Sequence, residues 1–289
     1  MAAQLTSRTR RWEAAGRNVD LGGHRIFTRS VDGDGPLVLL LHGYPSSSYD
    51  WRQLLPHLTG RRVLAFDFLG FGLSAKPALP RYSLLMQADL VGELAAGRET
   101  VLVAHDMGTS VANELMARDI EKQLPFALRG VFLFNGSMVV EKAHLTPAQR
   151  ALRSPFGPLV ARLSNPVLFR AEFRRIFSST HPLERTEADD QWSLLTHSGG
   201  HRIIDRLTNY LRERVEYAAR WHGALRDWPG QLELGWAGRD PVCVEAVLQA
   251  VLELRPDVPL TRWPELGHYP QVEEPATVAA AVTAFLDHL

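Results

Sequence analysis

The sequence predicts an α/β fold: a mostly parallel central sheet flanked by helices, interrupted once by a helical insertion. Three observations predict it. Short apolar runs alternate with helix-length segments in both the first and the last parts of the chain. The runs "PLVLLLHG" (36–43) and "VLVAHD" (101–106) are almost continuously apolar, as strands buried on both faces require. Between Met138 and His222 such runs stop, and the chain becomes rich in Arg, Phe, Leu and Pro.

In chain order, "HRIFTRSV" (24–31) reads as a strand and "DGDGP" as the turn after it. The buried strand 36–43 follows. "SSSYDWRQLLPHL" (46–58) offers serine N-caps and then helical spacing, so a helix is expected there. "RRVLAFD" (61–67) is a strand, and "YSLLMQADLVGELA" (82–95) has apolar residues at helical spacing. The strand ending at Asp106 leads into a helix over 108–119, and "RGVFLFNGS" (129–137) is the next strand. The insertion carries helical pieces such as "PFGPLVARL" and "IIDRLTNYLRERVEYAARW". It is mildly basic, which reads as a solvated face in preference to a site for an anionic partner. Alternation then resumes with "QLELGWAG", "VEAVLQAVLEL", "PLTRWPE" and a closing amphipathic helix, "ATVAAAVTAFLDHL". The expected division is a core of 1–137 and 223–289 with a helical cap of 138–222.

Composition narrows the function. Lys plus Arg equals Asp plus Glu, 32 each, which gives no global electrostatic case for nucleic acid or an anionic membrane as partner. The single cysteine, Cys243, excludes an internal disulfide and a Cys-rich zinc module. The start, "MAAQLTSRTRRWEAAG", is basic without an apolar core, so no signal peptide is expected. No stretch is long and apolar enough for a transmembrane helix, and a cytoplasmic location is the default expectation.

The chemistry gathers at four element boundaries. "VLVAHDMGTSV" (101–111) has the frame of a nucleophile on a sharp strand-to-helix bend, with Ala104 and Gly108 as small flanks and Asp106 at the centre. "HGYP" follows the first buried strand, where the backbone N–H of Tyr44 can pair with that of Met107 as an oxyanion hole. Asp240 lies just past a late strand in "AGRDPV", and His268 lies before the last helix in "ELGHYPQVEEP". Each has a plain structural reading alone: Asp106 and Asp240 as helix N-caps, His42 and His268 as loop residues. The coincidence of all of them, in the order nucleophile, acid, histidine, points to catalysis.

With "HGYPSSSYDW", "DFLGFGLSAKP", "HDMG", "DPV" and "GHYPQVEEP", the chain from about Arg25 onward resembles the α/β-hydrolase superfamily. Within it the chain is similar to the epoxide hydrolase and haloalkane dehalogenase group, which shares an Asp nucleophile. The resemblance implies an α/β-hydrolase fold. It implies an alkyl ester on Asp106, hydrolysed by water that His268 activates, with Asp240 orienting the imidazole. The carboxylate suits this attack because it is already ionised at neutral pH. Dehalogenases of the group carry Trp after the nucleophile and a donor such as Asn after His-Gly. Here those positions hold Met107 and Tyr44, which favours an epoxide over a haloalkane or haloacid. Epoxide opening needs a phenol from the cap; Tyr210 resembles one family tyrosine, with an aromatic anchor between cap and core as its equal structural reading, and Tyr217, seven residues further on, is distant for sharing the substrate.

The expected partners are therefore a small apolar electrophile and water, with no cofactor, metal, nucleic acid or membrane. The alternatives are a dehalogenase and a hydrolase-fold binding or regulatory protein with little activity. Other signals carry less. His197 and His201 are split by "SGG", which argues against a helical metal pair. Thr109 and Ser110 lie beyond the bend, "DFLGFGLSAKP" lacks a phosphate-loop ending, and Trp192 and Trp221 read as core, with a pocket-lining place for one of them as the alternative.

Overall fold

The computed structural model describes residues 4–289. Residues 1–3 of the basic N-terminal stretch lie outside the described residues, and Ser7–Ala14 of the same stretch forms a helix capped by Thr6. Eight strands form one sheet: β1 (Arg17–Leu21), β2 (His24–Val31), β3 (Gly33–Leu41), β4 (Gly60–Phe66), β5 (Glu99–His105), β6 (Ala127–Phe134), β7 (Gln231–Ala237) and β8 (Leu260–Trp263). Their spatial order is β1-β2-β4-β3-β5-β6-β7-β8. The pairs β1–β2 and β2–β4 are antiparallel, and all others are parallel. This is the α/β-hydrolase arrangement that the sequence predicts.

Strand periodicity explains how both faces are buried. Leu37, Leu39 and Leu41 of β3 join one core cluster, and Val38 and Leu40 join the other. The first cluster includes Ala88 and Val91 of helix Leu84–Ala95 and Val111 and Leu115 of helix Met107–Ile120. The second takes in Val278, Val282 and Phe285 of helix Pro275–Asp287. Both faces of the sheet are thus covered by apolar helix stripes, as parallel strands demand.

Two local expectations are corrected. The helix expected over 46–58 is two short 3-10 turns, Ser48–Trp51 and Leu55–Leu58. Pro56 cannot continue an α-helix, and Ser46, Ser47 and Asp50 spend their side chains on local hydrogen bonds that compete with one. The unexpected strand is β1. Gly22 and Gly23, at φ 55° and 73°, make the two-residue turn that pairs it with β2. A signal was present, since "NVDLGGHRIF" places a Gly-Gly pair between two half-apolar runs.

Between β6 and β7, the described residues form helices and no strand. The piece 203–221 is not one helix but three, Ile204–Leu207, Tyr210–Glu216 and Ala218–Asp227, the last of which runs through position 222. No helix of the described residues is long and apolar enough to cross a membrane.

Glycine at 108 is a packing requirement. A Cβ there would stand 2.5 Å from the backbone oxygen of Leu41, so the helix after β5 could not approach β3 as closely. Gly108→Ala is expected to cost about 1–3 kcal/mol of folding stability, measured by urea unfolding with an unchanged m value.

Candidate active site

Parallel pairing of β3 with β5 sets Leu41 opposite Ala104, so the segments leaving both strands emerge side by side. Asp106 occupies the bend at φ 45° and ψ −109°, a left-handed conformation that a non-glycine residue adopts only under local constraint. Thr109 supplies that constraint: its N–H and its hydroxyl both donate to the Asp106 backbone oxygen, at 3.1 and 2.6 Å. On the other side, Gly43 lets the β3 loop press against Asp106, since a Cβ there would lie 2.8 Å from the Asp106 Cβ. The Tyr44 N–H thereby donates to Asp106 Oδ2 at 2.9 Å. The Met107 N–H is the first of its helix and has no partner within it.

His42 ties that loop down. Its Nδ1 donates to the Gly43 oxygen at 2.8 Å, and its Nε2 accepts from the Phe68 N–H at 3.0 Å, which fixes a neutral tautomer. Burial pushes its pKa below the usual histidine value. The glycine-rich stretch after β4 is a turn, as read: Gly72 has φ 46°, and a Cβ there would strike the Asp67 carboxylate.

Asp240 and His268 meet beside this bend. His268 Nδ1 donates to Asp240 Oδ2 at 2.7 Å. Asn135, at the end of β6, donates to the same oxygen at 2.8 Å, while Oδ1 accepts the N–H groups of Val242 and Cys243 at 2.7 and 3.0 Å. Burial opposes charge on both partners, yet their mutual attraction outweighs it: Asp240 is held below the carboxylate range and His268 well above the histidine one. His105 is a second buried imidazole. It donates from Nε2 to the His268 backbone oxygen at 2.7 Å and accepts from Gln271 at 3.1 Å. Burial and the neighbouring His268 hold it neutral, at about 3.

The sequence reading missed Arg214. Its side chain is almost fully buried, and its Nη2 lies 3.0 Å from the Asp106 backbone oxygen and 3.4 Å from Oδ1. Nε donates to Ser110 at 2.8 Å, and the guanidinium packs 4.7 Å from the Tyr210 ring centre, one helical turn away. Burial pushes the Asp106 carboxyl up, but Arg214, then His268 and the Tyr44 N–H, together hold it below its ordinary value. One arginine among the 32 basic residues carries no sequence mark of this role.

A cavity of about 440 Å³ opens beside these groups, between the core and the inserted helices. Its wall is mostly aliphatic and aromatic, with polar points at Tyr44, Thr146, Gln149, Ser164, Glu172 and His268. The Tyr44 hydroxyl is buried and lacks a hydrogen-bond partner among the described residues. Tyr210 lies one layer behind, its ring centre 5.2 Å from that of Tyr44, and its hydroxyl accepts from Gln149 at 2.9 Å. Gln149 also closes a capping box with Thr146 at the start of helix Pro147–Leu152. Tyr217 is outside this group; it is half-buried and packs on Trp221. Trp192 and Trp221 are both buried in the core, as expected; Trp192 also lines the cavity, and Trp221 donates to Glu114.

Two clusters could suggest a metal. Asp240, Cys243 and His268 hold ligand atoms within 4.8 Å of one another. Asp240 and His268 are spent on each other, and burial pushes the Cys243 thiol up to about 11, so the set lacks the thiolate a metal would need. His197 and His201 are separated by left-handed Ser198 and Gly199, which breaks the helical spacing between them.

The profile of the alpha/beta hydrolase family matches residues 38–281. The chain is 51% identical over 280 residues to the protein named "Putative hydrolase LipZ" of Mycobacterium tuberculosis, covering 96% of this chain and 97% of that one. It is 31% identical to the mesoderm-specific transcript protein of Mus musculus, covering 98% and 89%. Over 41% of its length it is 35% identical to epoxide hydrolase B of Mycobacterium tuberculosis, 37% of which is covered. Among solved structures, an alpha/beta hydrolase fold protein from Burkholderia ambifaria superposes with a TM-score of 0.77 at 23% identity, covering 93% and 97%.

Arg214 gives a test of the site's electrostatics. The folded pKa of Asp106 lies below its unfolded value, so its ionisation stabilises the fold above the ordinary 3.8 and stops doing so as pH falls through the lowered value. Arg214→Met leaves that carboxylate buried without its cation. The expected cost is about 3 kcal/mol at neutral pH, shrinking as acid neutralises Asp106. Urea unfolding across a pH series measures it; a deficit independent of pH would mean that Arg214 acts through packing alone.

Proposed function

Because the chain belongs to the alpha/beta hydrolase family and presents a carboxylate at the nucleophile position, we propose that it hydrolyses epoxides through an ester on Asp106. The observation that carries this reading is the pair of phenols within electrostatic reach of the Asp106 carboxylate, Tyr44 with a buried, partnerless hydroxyl and Tyr210 packed against its ring. The partial match to an epoxide hydrolase agrees with it. In this reading the inserted helices are the cap, and the cavity between cap and core holds a small apolar epoxide.

Tyr44 N–H holds Oδ2, so Oδ1 is the attacking oxygen. It bonds to an epoxide carbon as the ring C–O bond breaks, and the departing oxygen takes the Tyr44 phenol proton. Tyr210 backs that phenol; Gln149 donates to the Tyr210 oxygen, which leaves the Tyr210 proton free to donate in turn. His268, oriented by Asp240, then takes a proton from water, and the hydroxide adds to the Asp106 carboxyl carbon. The N–H groups of Tyr44 and Met107 receive the oxyanion. Collapse frees the diol alkoxide, which takes the proton of the restored carboxyl; the imidazolium and the phenolate neutralise through solvent. Epoxide and water in, diol out, is the net balance.

Dehalogenation is the second reading, and one residue favours it. Trp192 lines the cavity, and its indole N–H could receive a halide in place of the donors absent at Tyr44 and Met107. Trp192→Phe would then abolish halide release and leave epoxide turnover intact.

His268→Gln, exposed to mixed aryl and alkyl epoxides, is expected to gain the mass of one epoxide, and Asp106→Asn to gain none. Intact mass spectrometry reads both, and a chain that never gains mass with any epoxide sinks the reading. Tyr44→Phe keeps the backbone donor and loses the phenol, so ester formation should slow by about 10²-fold or more while ester hydrolysis changes little. Ester hydrolysis in the wild type should accelerate as pH rises through the His268 pKa, which lies above the ordinary 6.5, because only the neutral ring accepts a proton. Asp240→Asn should move that midpoint down, as single-turnover rates across pH would record.

A further inference from the structure

The inserted helices leave a run of large apolar side chains in water. Phe156 and Val167 are 70% and 71% exposed, and Leu159, Leu163 and Leu168 are exposed as well. Phe156, Leu159 and Leu163 recur at helical spacing on the helix Gly157–Leu163 and its N-cap, so they share one face. Leu163 and Leu168 also line the cavity, so this apolar surface runs into the cavity mouth. Soluble surfaces rarely gather such residues without a partner.

Charge says which partner. Residues 147–176 hold six arginines and one carboxylate, Glu172, although the whole chain is neutral. Glu172 is occupied by Arg175, and Arg170 by Asp189. Arg150, Arg153, Arg162 and Arg174 are exposed and have no ion pair among the described residues. Two copies meeting through this face would bring like charges together. An anionic bilayer offers both phosphate for the arginines and hydrocarbon for the side chains.

We propose that this face docks on an anionic phospholipid surface, so that the cavity draws its apolar substrate from the bilayer. The sequence shows the insertion as mildly basic, which alone reads as a solvated face; the exposure of these large apolar residues is what the structure adds. The inference concerns where substrate comes from and stands whichever electrophile the cavity takes.

Cosedimentation of the full chain with vesicles tests it. Binding is expected to phosphatidylcholine containing about 30 mol % phosphatidylglycerol, not to phosphatidylcholine alone, and release at ~0.5 M NaCl. Phe156→Ser/Val167→Ser and, separately, Arg153→Gln/Arg162→Gln should each weaken binding about tenfold with an unchanged thermal unfolding midpoint. Absence of vesicle binding, or equal binding by both variants, overturns the proposal. So does a wild-type dimer that masks the face and dissociates in the Phe156/Val167 variant, because the occupant is then a second copy.

Discussion

An ionised carboxylate without water is the constraint on which the site is built. Asp106 sits at a strand end, nearly sealed from solvent, and its charge must be met by fixed partners. Three come from different parts of the chain: the Tyr44 N–H from the loop after β3, His268 from the loop after β8, and Arg214 from the insertion. None of these segments is placed by local sequence preference. The sheet brings the first two together, and the insertion must fold down onto them to deliver the third. Folding of the helical segment and ionisation of Asp106 are thereby linked.

The legible parts of the fold were those governed by periodicity. β3 and β5 announce themselves because a strand buried on both faces has no polar residues to spare, and the helix after Asp106 shows its apolar stripe. The half-buried hairpin strand β1 does not, because its pattern is polar and short. The 3-10 turns over 48–58 look helical in spacing; what prevents a helix is Pro56 and serine hydroxyls finding nearer partners.

The site divides along a similar line. Tyr44, Asp106, Asp240 and His268 were legible because chemistry at strand ends leaves short motifs, and the structure brings these four together. Arg214, Gln149 and Asn135 were not, since each reaches the site from an element with no motif of its own. Tyr44 was legible in its backbone and not in its side chain. A motif locates an N–H; only packing shows that the phenol hydroxyl is buried with no hydrogen-bond partner among the described residues.

Gln149 shows what such hidden residues constrain. Its side-chain oxygen completes the turn that begins a helix, while its side-chain nitrogen bonds Tyr210. Glutamate would start the helix equally well, for it too accepts from the Thr146 N–H. It has no hydrogen to give, however, and the phenol would turn its own proton toward the carboxylate. Pressure on helix formation alone would let the two residues drift into one another; pressure on the phenol would hold the amide in place. The choice at position 149 among relatives therefore records whether they kept a free hydroxyl proton at this spot, and can be read from their sequences without a structure.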